Sequence, residues 1–392
     1  MPQSPDNQIP STAATLPPEE SGSQTPEERA EARRYNHISL ACTLADMAID
    51  LVYLGLMAFV LARPIDTWLS SLPALAGEHS ILRLLALFGV VMVLHIAVSF
   101  SLSFYSGYVV EHKFALSNQS LRRWFRNWAL SNTLAILLGA ALNVGLFWII
   151  WHTGAYWWLI AAAAFFVVSV VLGQLAPVLI VPLFYKVEPI EDAELDARMK
   201  RLAEGTGITI EGVYRLGLSA DTVKANAMLA GLGRTRRVLM GDTLLEKFTP
   251  EEIDVIFAHE LGHHVHRHIP KMIAAGVVIS LVGFWLLDRV ICWWAGIPTA
   301  ATTPISALPL IMFALTAFSL VLSPLQNAIS RHYERQSDRY ALRRTNDAPS
   351  YRSAFLKLAR LNKADMEPNP IEVFLLHSHP PIAERLAIPD LV

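Results

Sequence analysis

Long runs of apolar residues dominate the sequence from about residue 37 to residue 330. The longest, from Asn127 to Tyr185, contains no Asp, Glu, Lys or Arg. About 20 apolar residues span the hydrocarbon core of a bilayer, so this run alone is long enough to cross a membrane twice. The pattern predicts a mainly α, polytopic transmembrane helical bundle and excludes a soluble protein.

Six membrane spans are predicted, at residues 37–62, 82–110, 128–151, 156–185, 269–295 and 304–330. The fourth is over-long and contains Pro177 and Pro182, so a kink, or a seventh short span, is the alternative there. Trp and Tyr residues cluster at span ends, for example Trp148 and Trp158, as residues at a membrane–water interface do. The spans therefore account for most of the chain.

Basic residues are concentrated in one loop, between spans two and three. It contains Lys113, Arg122, Arg123 and Arg126, whereas the loops after spans three and five carry no charge beyond Arg289. Basic loops stay in the cytoplasm. Six spans then place both termini and residues 186–268 on the cytoplasmic side, at the plasma (inner) membrane if the source is bacterial.

The amino-acid composition further restricts the class of protein to which the chain can belong. Hydrophobic residues make up 53% and charged residues 17% of the chain, against about 25% charged in soluble domains. The net charge is −2, so the chain has no excess of basic residues of the kind that nucleic-acid-binding proteins carry. The two cysteines, Cys42 and Cys292, lie inside apolar runs, which favours small buried hydrophobes over a disulfide framework.

The chain divides into five predicted parts: a disordered tail (1–36), spans one to four (37–185), a small α+β domain (186–268), spans five and six (269–330), and a C-terminal segment (331–392). The tail is rich in Pro, Ser and Glu and poor in large apolar residues. Within the α+β domain, a helix at 191–204, a strand at 208–216 and a hairpin around Gly231 and Gly233 are expected.

The clearest chemical motif is His259-Glu260-Leu261-Gly262-His263. Thr249, Pro250 and Glu252 mark the start of a helix expected to run to His268. Histidines four residues apart lie on one helix face and can reach one ion, while the adjacent Glu260 can act as general base toward a water. The neighbouring pair His264 and His268 has the same spacing but lacks a base, because Val265 follows His264.

A third metal ligand must come from elsewhere in the chain. His266 and Ile269 stand where a metzincin extension needs Gly and His, and no Asp-Gly pair occurs in the sequence. Glu334 and Asp338 are the best candidates, because they lie four apart on one helical face just beyond span six. One of these carboxylates can bind zinc while the other hydrogen-bonds a ligand.

These motifs together resemble the Ste24 family of integral-membrane zinc metalloproteases (CAAX prenyl protease type 1), within the M48 peptidases. The matching stretches are HELGH with His268, SRHYERQSD at 330–338, EHKFALSNQ at 111–119, PLFYK at 182–186, SHPP at 378–381 and ERL at 384–386. Ala115 and Ser337 depart from the family's usual Gly and Ala. The resemblance covers the chain from about residue 37 to residue 386.

The resemblance implies a set of roles for individual residues. His259, His263 and Glu334 hold one zinc ion per chain, and Asp338 supports one of these ligands. Glu260 is the general base, and His379 stabilises the oxyanion. Asn226 and Ala227 lie on a strand that pairs with the substrate. It also implies that the helices enclose a chamber. Asp46 and Asp50, four apart in span one, fit this, because carboxylates inside a membrane usually face a cavity; a later start of span one is the alternative.

The expected function is a membrane-embedded zinc endopeptidase that hydrolyses C-terminally prenylated or other membrane-associated peptides in contact with the lipid bilayer. The alternatives are a quality-control protease without prenyl specificity, a signalling receptor and a non-catalytic membrane protein. The predicted outside loops are too short for a sensor domain, and Glu260 would be superfluous in a structural metal site. No nucleic acid and no obligate protein partner are expected.

Overall fold

The structure is a computed structural model that describes residues 24–208, 211–230 and 237–391. Its helices are α1 (Pro26–Leu56), α2 (Ala62–Ser70), α3 (Ile81–Phe104), α4 (Glu111–Lys113), α5 (Leu121–His152), α6 (Trp157–Leu175), α7 (Val181–Phe184), α8 (Ala193–Ala203), α9 (Asp242–Lys247), α10 (Pro250–Val265), α11 (His268–Ala295), α12 (Leu308–Thr345), α13 (Ala348–Leu361), α14 (Pro370–Leu376) and α15 (Ile382–Leu386). Its strands are β1 (Val187–Pro189), β2 (Gly212–Leu216), β3 (Ala227–Ala230) and β4 (Arg237–Gly241).

Six helical segments of the described chain are long and apolar enough to cross a membrane, which confirms the predicted number. They are Pro26–Ser70, Ile81–Lys113, Leu121–His152, Gly154–Phe184, His268–Ala295 and Ile305–Thr345. Pro177 and Pro182 do not create a seventh span. A wider π-helical turn at Ala176–Ile180 accommodates Pro177, and the chain continues into α7 in the same segment.

The prediction of a disordered tail up to residue 36 is wrong from Pro26 onward. Thr25 and Glu28 form a reciprocal capping box at the start of α1, with Pro26 at the first helical position. Ion pairs to the C-terminal segment hold this extension, including Lys363 Nζ to Glu31 Oε2 at 2.6 Å. Residues 1–23 lie outside the described range.

The inserted domain contains a four-stranded sheet of order β1-β2-β4-β3. β3 and β4 pair antiparallel as the predicted hairpin, whose turn around Gly231 lies outside the described residues. β2 runs parallel to β4, and β1 runs antiparallel to β2. β3 is thus an edge strand, and α10 packs beside it against the same apolar core.

The helix with the HELGH motif is shorter than predicted. It ends at Val265, and Arg267 adopts a left-handed conformation with φ of 56° before α11 begins at His268. Pro270 explains the break, because its ring would clash with the carbonyl of His266 in a continuous helix. His264 and His268 therefore belong to different helices and do not share a face.

The helix that contains span six continues beyond residue 330, where the predicted span ends. α12 continues through the span as one helix to Thr345 and carries Glu334 and Asp338 alongside α10. The two helices approach closely where Gly262 meets Ser337. This contact places the sixth span and the HELGH helix on either side of one site.

A polar cavity of about 570 Å³ lies among the first four spans. Asp46, Asp50 and His95 line it, and His95 Nε2 lies 2.7 Å from Asp50 Oδ1. The two acidic residues of span one therefore face a cavity inside the bundle, as expected of carboxylates at membrane depth.

Candidate metal centre and active site

Three side chains from two helices converge at one point. His263 Nε2 lies 3.3 Å from His259 Nε2 and from Glu334 Oε1, and His259 Nε2 lies 3.2 Å from Glu334 Oε2. One ligand atom from each residue falls within 4.8 Å of the other two. The structure thus brings together the three metal ligands that the resemblance implied.

Asp338 supports His259 from behind. Its Oδ1 lies 2.8 Å from His259 Nδ1, which leaves Nε2 directed toward His263 and Glu334. Arg385 donates to both Asp338 oxygens, from Nε at 2.9 Å and from Nη2 at 2.6 Å. Asp338, with no exposed surface, is therefore a buried carboxylate neutralised by a two-pronged guanidinium contact.

His263 has a support of its own. Its Nδ1 lies 3.1 Å from Nδ1 of His268, whose Nε2 lies 2.8 Å from Gln336 Oε1. The His268 ring also stacks on Tyr333 with centroids 4.2 Å apart. Each histidine of the HELGH motif is thereby oriented through its second ring nitrogen, as metal-binding histidines usually are.

The electrostatics of the site favour a cation. Burial alone would lower the pKa of His259, but the Asp338 and Glu334 carboxylates outweigh burial and raise it to about 9. The same carboxylates would stabilise a bound metal ion at this position.

The donor atoms also fit a metal. Oε2 of Glu334 is buried and makes no well-aligned hydrogen bond to any part of the chain that the structure describes. Such an oxygen is costly to bury unless something else satisfies it. Two imidazoles and one carboxylate are a ligand set found in catalytic zinc sites, which leave a fourth position open.

A cavity of about 650 Å³ opens beside His259 and Glu334. Glu260 lines it next to His259, and Asn226, which directly precedes β3, and Ala227, the first residue of β3, line the same space. His379 also lines it, with Nε2 3.5 Å from Glu334 Oε1 and 62% of its side chain exposed. The residues that the resemblance assigns to the active site thus lie at or directly behind this cavity, whereas Asp46 and Asp50 line the separate cavity among the spans.

Sequence reasoning missed two contributors. Arg385 belongs to the matched ERL stretch, but only the fold shows that its guanidinium meets Asp338. The sequence motif assigns Gly262 no role, whereas a Cβ there would lie 2.9 Å from the Cα of Ser337. The position of Arg385 within the matched ERL stretch is the sequence signal that could have drawn attention to it.

Comparisons with known proteins identify the family of the chain. Residues 189–388 match the sequence profile of Peptidase family M48, and residues 8–186 match the profile described as CAAX prenyl protease N-terminal, five membrane helices. Within the described part of that second range, this chain has four span-length helical segments.

Similar full-length proteins carry related names. The chain is 25% identical over 387 residues to the Uncharacterized metalloprotease YhfN of Bacillus subtilis (strain 168), covering 97% of this chain and 90% of that protein. It is 28% identical over 330 residues to CAAX prenyl protease 1 of Saccharomyces cerevisiae, covering 79% and 72% respectively.

A solved structure shows the same fold. The crystal structure of S. mikatae Ste24p superposes with a TM-score of 0.79 at 24% identity, covering 96% of this chain and 92% of that one. The match to the Peptidase family M48 profile, over residues 189–388, includes most of the inserted domain, spans five and six and most of the C-terminal segment. The chain therefore belongs to peptidase family M48 and is a membrane-embedded metallopeptidase.

Proposed function

We propose that the protein is a zinc endopeptidase that cleaves membrane-associated peptides, C-terminally prenylated ones among them. The observation that carries this proposal is the convergence of His259, His263 and Glu334 beside a cavity lined by Glu260 and an open strand edge. In this assignment the three residues hold one zinc ion.

The substrate backbone is held on β3. One edge of this strand pairs with β4, and no other strand of the described chain covers its second edge. An extended peptide can add to such an edge through main-chain hydrogen bonds. Ala227, the first residue of β3, and Asn226 just before it line the cavity next to the proposed ligands, so the added peptide would pass the metal centre.

The chemistry divides between the ion and the chain. When bound, zinc polarises the scissile carbonyl and increases the acidity of the attacking water. Glu260 accepts the proton of that water and delivers it to the leaving amine. Its position next to His259, but off the His259–His263 face, suits it to the cavity rather than to the ion.

His379 donates to the oxygen on which negative charge develops. The side chain extends into the cavity near Glu334, and Ser378 Oγ lies 3.0 Å from its Nδ1. A donor aimed at the developing charge stabilises the transition state more than the ground state. Asp338 contributes by holding His259 in place, with Arg385 behind it.

The substrate class follows from the location of the site. The ligands lie where α12 leaves the sixth span, so peptides anchored in or on the bilayer can reach them. Proteins similar to this chain are named CAAX prenyl protease 1, which supports including prenylated peptides. Basic residues on either side of the connection between spans two and three, among them Lys113 in α4 and Arg126 in α5, support a cytoplasmic active site, at the plasma (inner) membrane if the source is bacterial.

The test is cleavage by the purified protein in lipid nanodiscs. Internally quenched peptides of one sequence, with and without a C-terminal prenyl group, are incubated with protein whose zinc content is measured in parallel. We expect cleavage that depends on zinc and is faster for the prenylated peptide. Equal rates on both peptides would support quality-control proteolysis instead, and no cleavage by zinc-loaded protein would contradict the proposal.

A further inference from the structure

The short helix α14 carries a face of large apolar side chains that the rest of the described chain leaves open. Ile371, Phe374 and Leu375 are 69%, 55% and 40% exposed. They lie at positions i, i+3 and i+4 and so share one helix face. The other side of α14 is engaged: Glu372 accepts a hydrogen bond from Asn36 Nδ2 at 2.9 Å, and Leu376 lines the catalytic cavity.

Span six, rather than the inserted domain, holds α14 in place. Asn327 Nδ2 donates to the carbonyl of Leu375 at 2.8 Å. Arg331 Nη1 donates to the carbonyls of Val373 at 2.8 Å and His377 at 2.5 Å. Asn327 and Arg331 are four residues apart on one face of α12, near the end of the predicted span. α14 therefore lies alongside the last turns of a membrane helix.

These contacts satisfy backbone groups that usually need water. The last carbonyls of a helix have no partner within that helix. At this end of α14, Asn327 donates to the Leu375 carbonyl and Arg331 to the His377 carbonyl, while the Val373 carbonyl accepts both the His377 N–H, at 3.3 Å, and Arg331. Backbone groups at membrane depth must be satisfied by the protein itself. Three carbonyls at the C-terminal end of α14, those of Val373, Leu375 and His377, are thus satisfied by the protein itself.

We propose that the apolar face of α14 is inserted into the lipid bilayer, at the end of span six nearest the metal centre. Span six exposes Leu325 and Ile329 at the same depth, as a lipid-facing surface does. A helix with one apolar and one engaged face is suited to lie in the membrane interface. The segment that follows α14 and contains His379 is thereby tethered at the membrane surface.

Depth-dependent fluorescence quenching tests this directly. Cys42 and Cys292 are replaced by serine, Phe374→Cys is labelled with the fluorophore NBD, and the protein is reconstituted in phosphatidylcholine vesicles with or without doxyl-labelled lipid. The matched control is Leu391→Cys, because Leu391 is 77% exposed and equally apolar. Leu391 is far from the proposed membrane contact. Ile388, three residues before it, packs in the same core as Leu342, and Leu342 lies roughly 20 Å beyond Asn327 along α12.

We expect NBD at residue 374 to emit at shorter wavelength and to be quenched by doxyl lipid roughly threefold more than at residue 391. Ile371→Cys should behave like Phe374→Cys and replaces it if that variant does not fold. Equal quenching at residues 374 and 391 overturns the proposal. A shielded but unquenched probe also overturns it, since a protein surface such as a second copy would then cover α14. Neither result depends on cleavage, so the proposed chemistry is tested separately.

Discussion

Gly262 of α10 lies directly against the backbone of Ser337 in α12, so that a Cβ at Gly262 would be 2.9 Å from the Ser337 Cα. Because α10 carries two proposed zinc ligands and α12 the third, this contact sets the distance between them. We predict that Gly262→Ala separates the helices and lowers zinc affinity, with an overpacking cost of about 1–3 kcal/mol.

Isothermal titration with zinc measures this effect. Gly173→Ala is the matched control, because a Cβ at Gly173 meets nothing within 4 Å among the described residues. An unchanged zinc affinity in Gly262→Ala would show that the helix separation does not position the ligands.

Glu260→Gln is expected to retain zinc and to lose about 10²–10⁴-fold in peptidase rate, because a proton acceptor is removed but no ligand is. Glu251→Gln, at an exposed position in the first turn of the same helix, should leave the rate unchanged. Peptide cleavage and metal analysis on the same preparations decide the outcome. Loss of zinc from Glu260→Gln would make Glu260 a ligand, and a normal rate would remove it from the mechanism.

Arg385→Gln is expected to destabilise the protein by about 3–5 kcal/mol, because it leaves the Asp338 carboxylate buried without its cation. Arg335→Gln breaks only the half-exposed pair with Glu384 and should cost no more than about 1 kcal/mol. Thermal unfolding in detergent compares the two variants. Similar unfolding midpoints for both would contradict the importance of the buried pair.

Asp242 is expected to make the inserted domain sensitive to acid. Burial alone would raise its pKa, but the Ser219 hydroxyl and the backbone N–H groups of Ser219, Thr243 and Leu218 outweigh burial and lower it. A carboxylate with a lowered folded-state pKa contributes stability above its unfolded pKa, near 3.9, and this stability is lost as the pH falls through the folded value.

The measurement is the unfolding midpoint of the wild type and of Asp242→Asn across a pH series. Hydrogen bonds to a charged group contribute about 1.5–3 kcal/mol, so the variant should be clearly less stable at pH 7. The difference should shrink below about pH 4. A difference that is constant with pH would exclude the carboxylate charge as its source.

Both the metal centre and the C-terminal segment are expected on the cytoplasmic side. In a background with Cys42 and Cys292 replaced, Ser350→Cys should resist a membrane-impermeant thiol reagent on intact cells, while Thr302→Cys should react. The reason is that basic residues flank the connection between spans two and three, among them Lys113 in α4 and Arg126 in α5, and basic flanks favour the cytoplasmic side. The reverse labelling pattern would place the active site outside the cell.

The helical spans and the HELGH face were predictable because hydrophobic runs and a four-residue spacing are local properties of the chain. Helix ends were harder to predict. Arg267 takes a left-handed conformation, and the one sequence signal for this break is Pro270, three residues later. The helical extension at Pro26 was missed because its partner Lys363 lies far away in sequence. The support of Asp338 by Arg385 was missed for the same reason, since ion pairs across the fold leave no periodic signal.

The continuity of α12 has a consequence for biosynthesis. His259 and His263 precede span five, whereas Glu334 follows span six on the same unbroken helix. A nascent chain that has emerged only as far as α10 therefore lacks the third of the proposed ligands, which follows only after a hairpin of two further helices. With that ligand set, the metal centre can be completed only once both helices have entered the membrane, so we expect no peptidase activity from a chain truncated before α12.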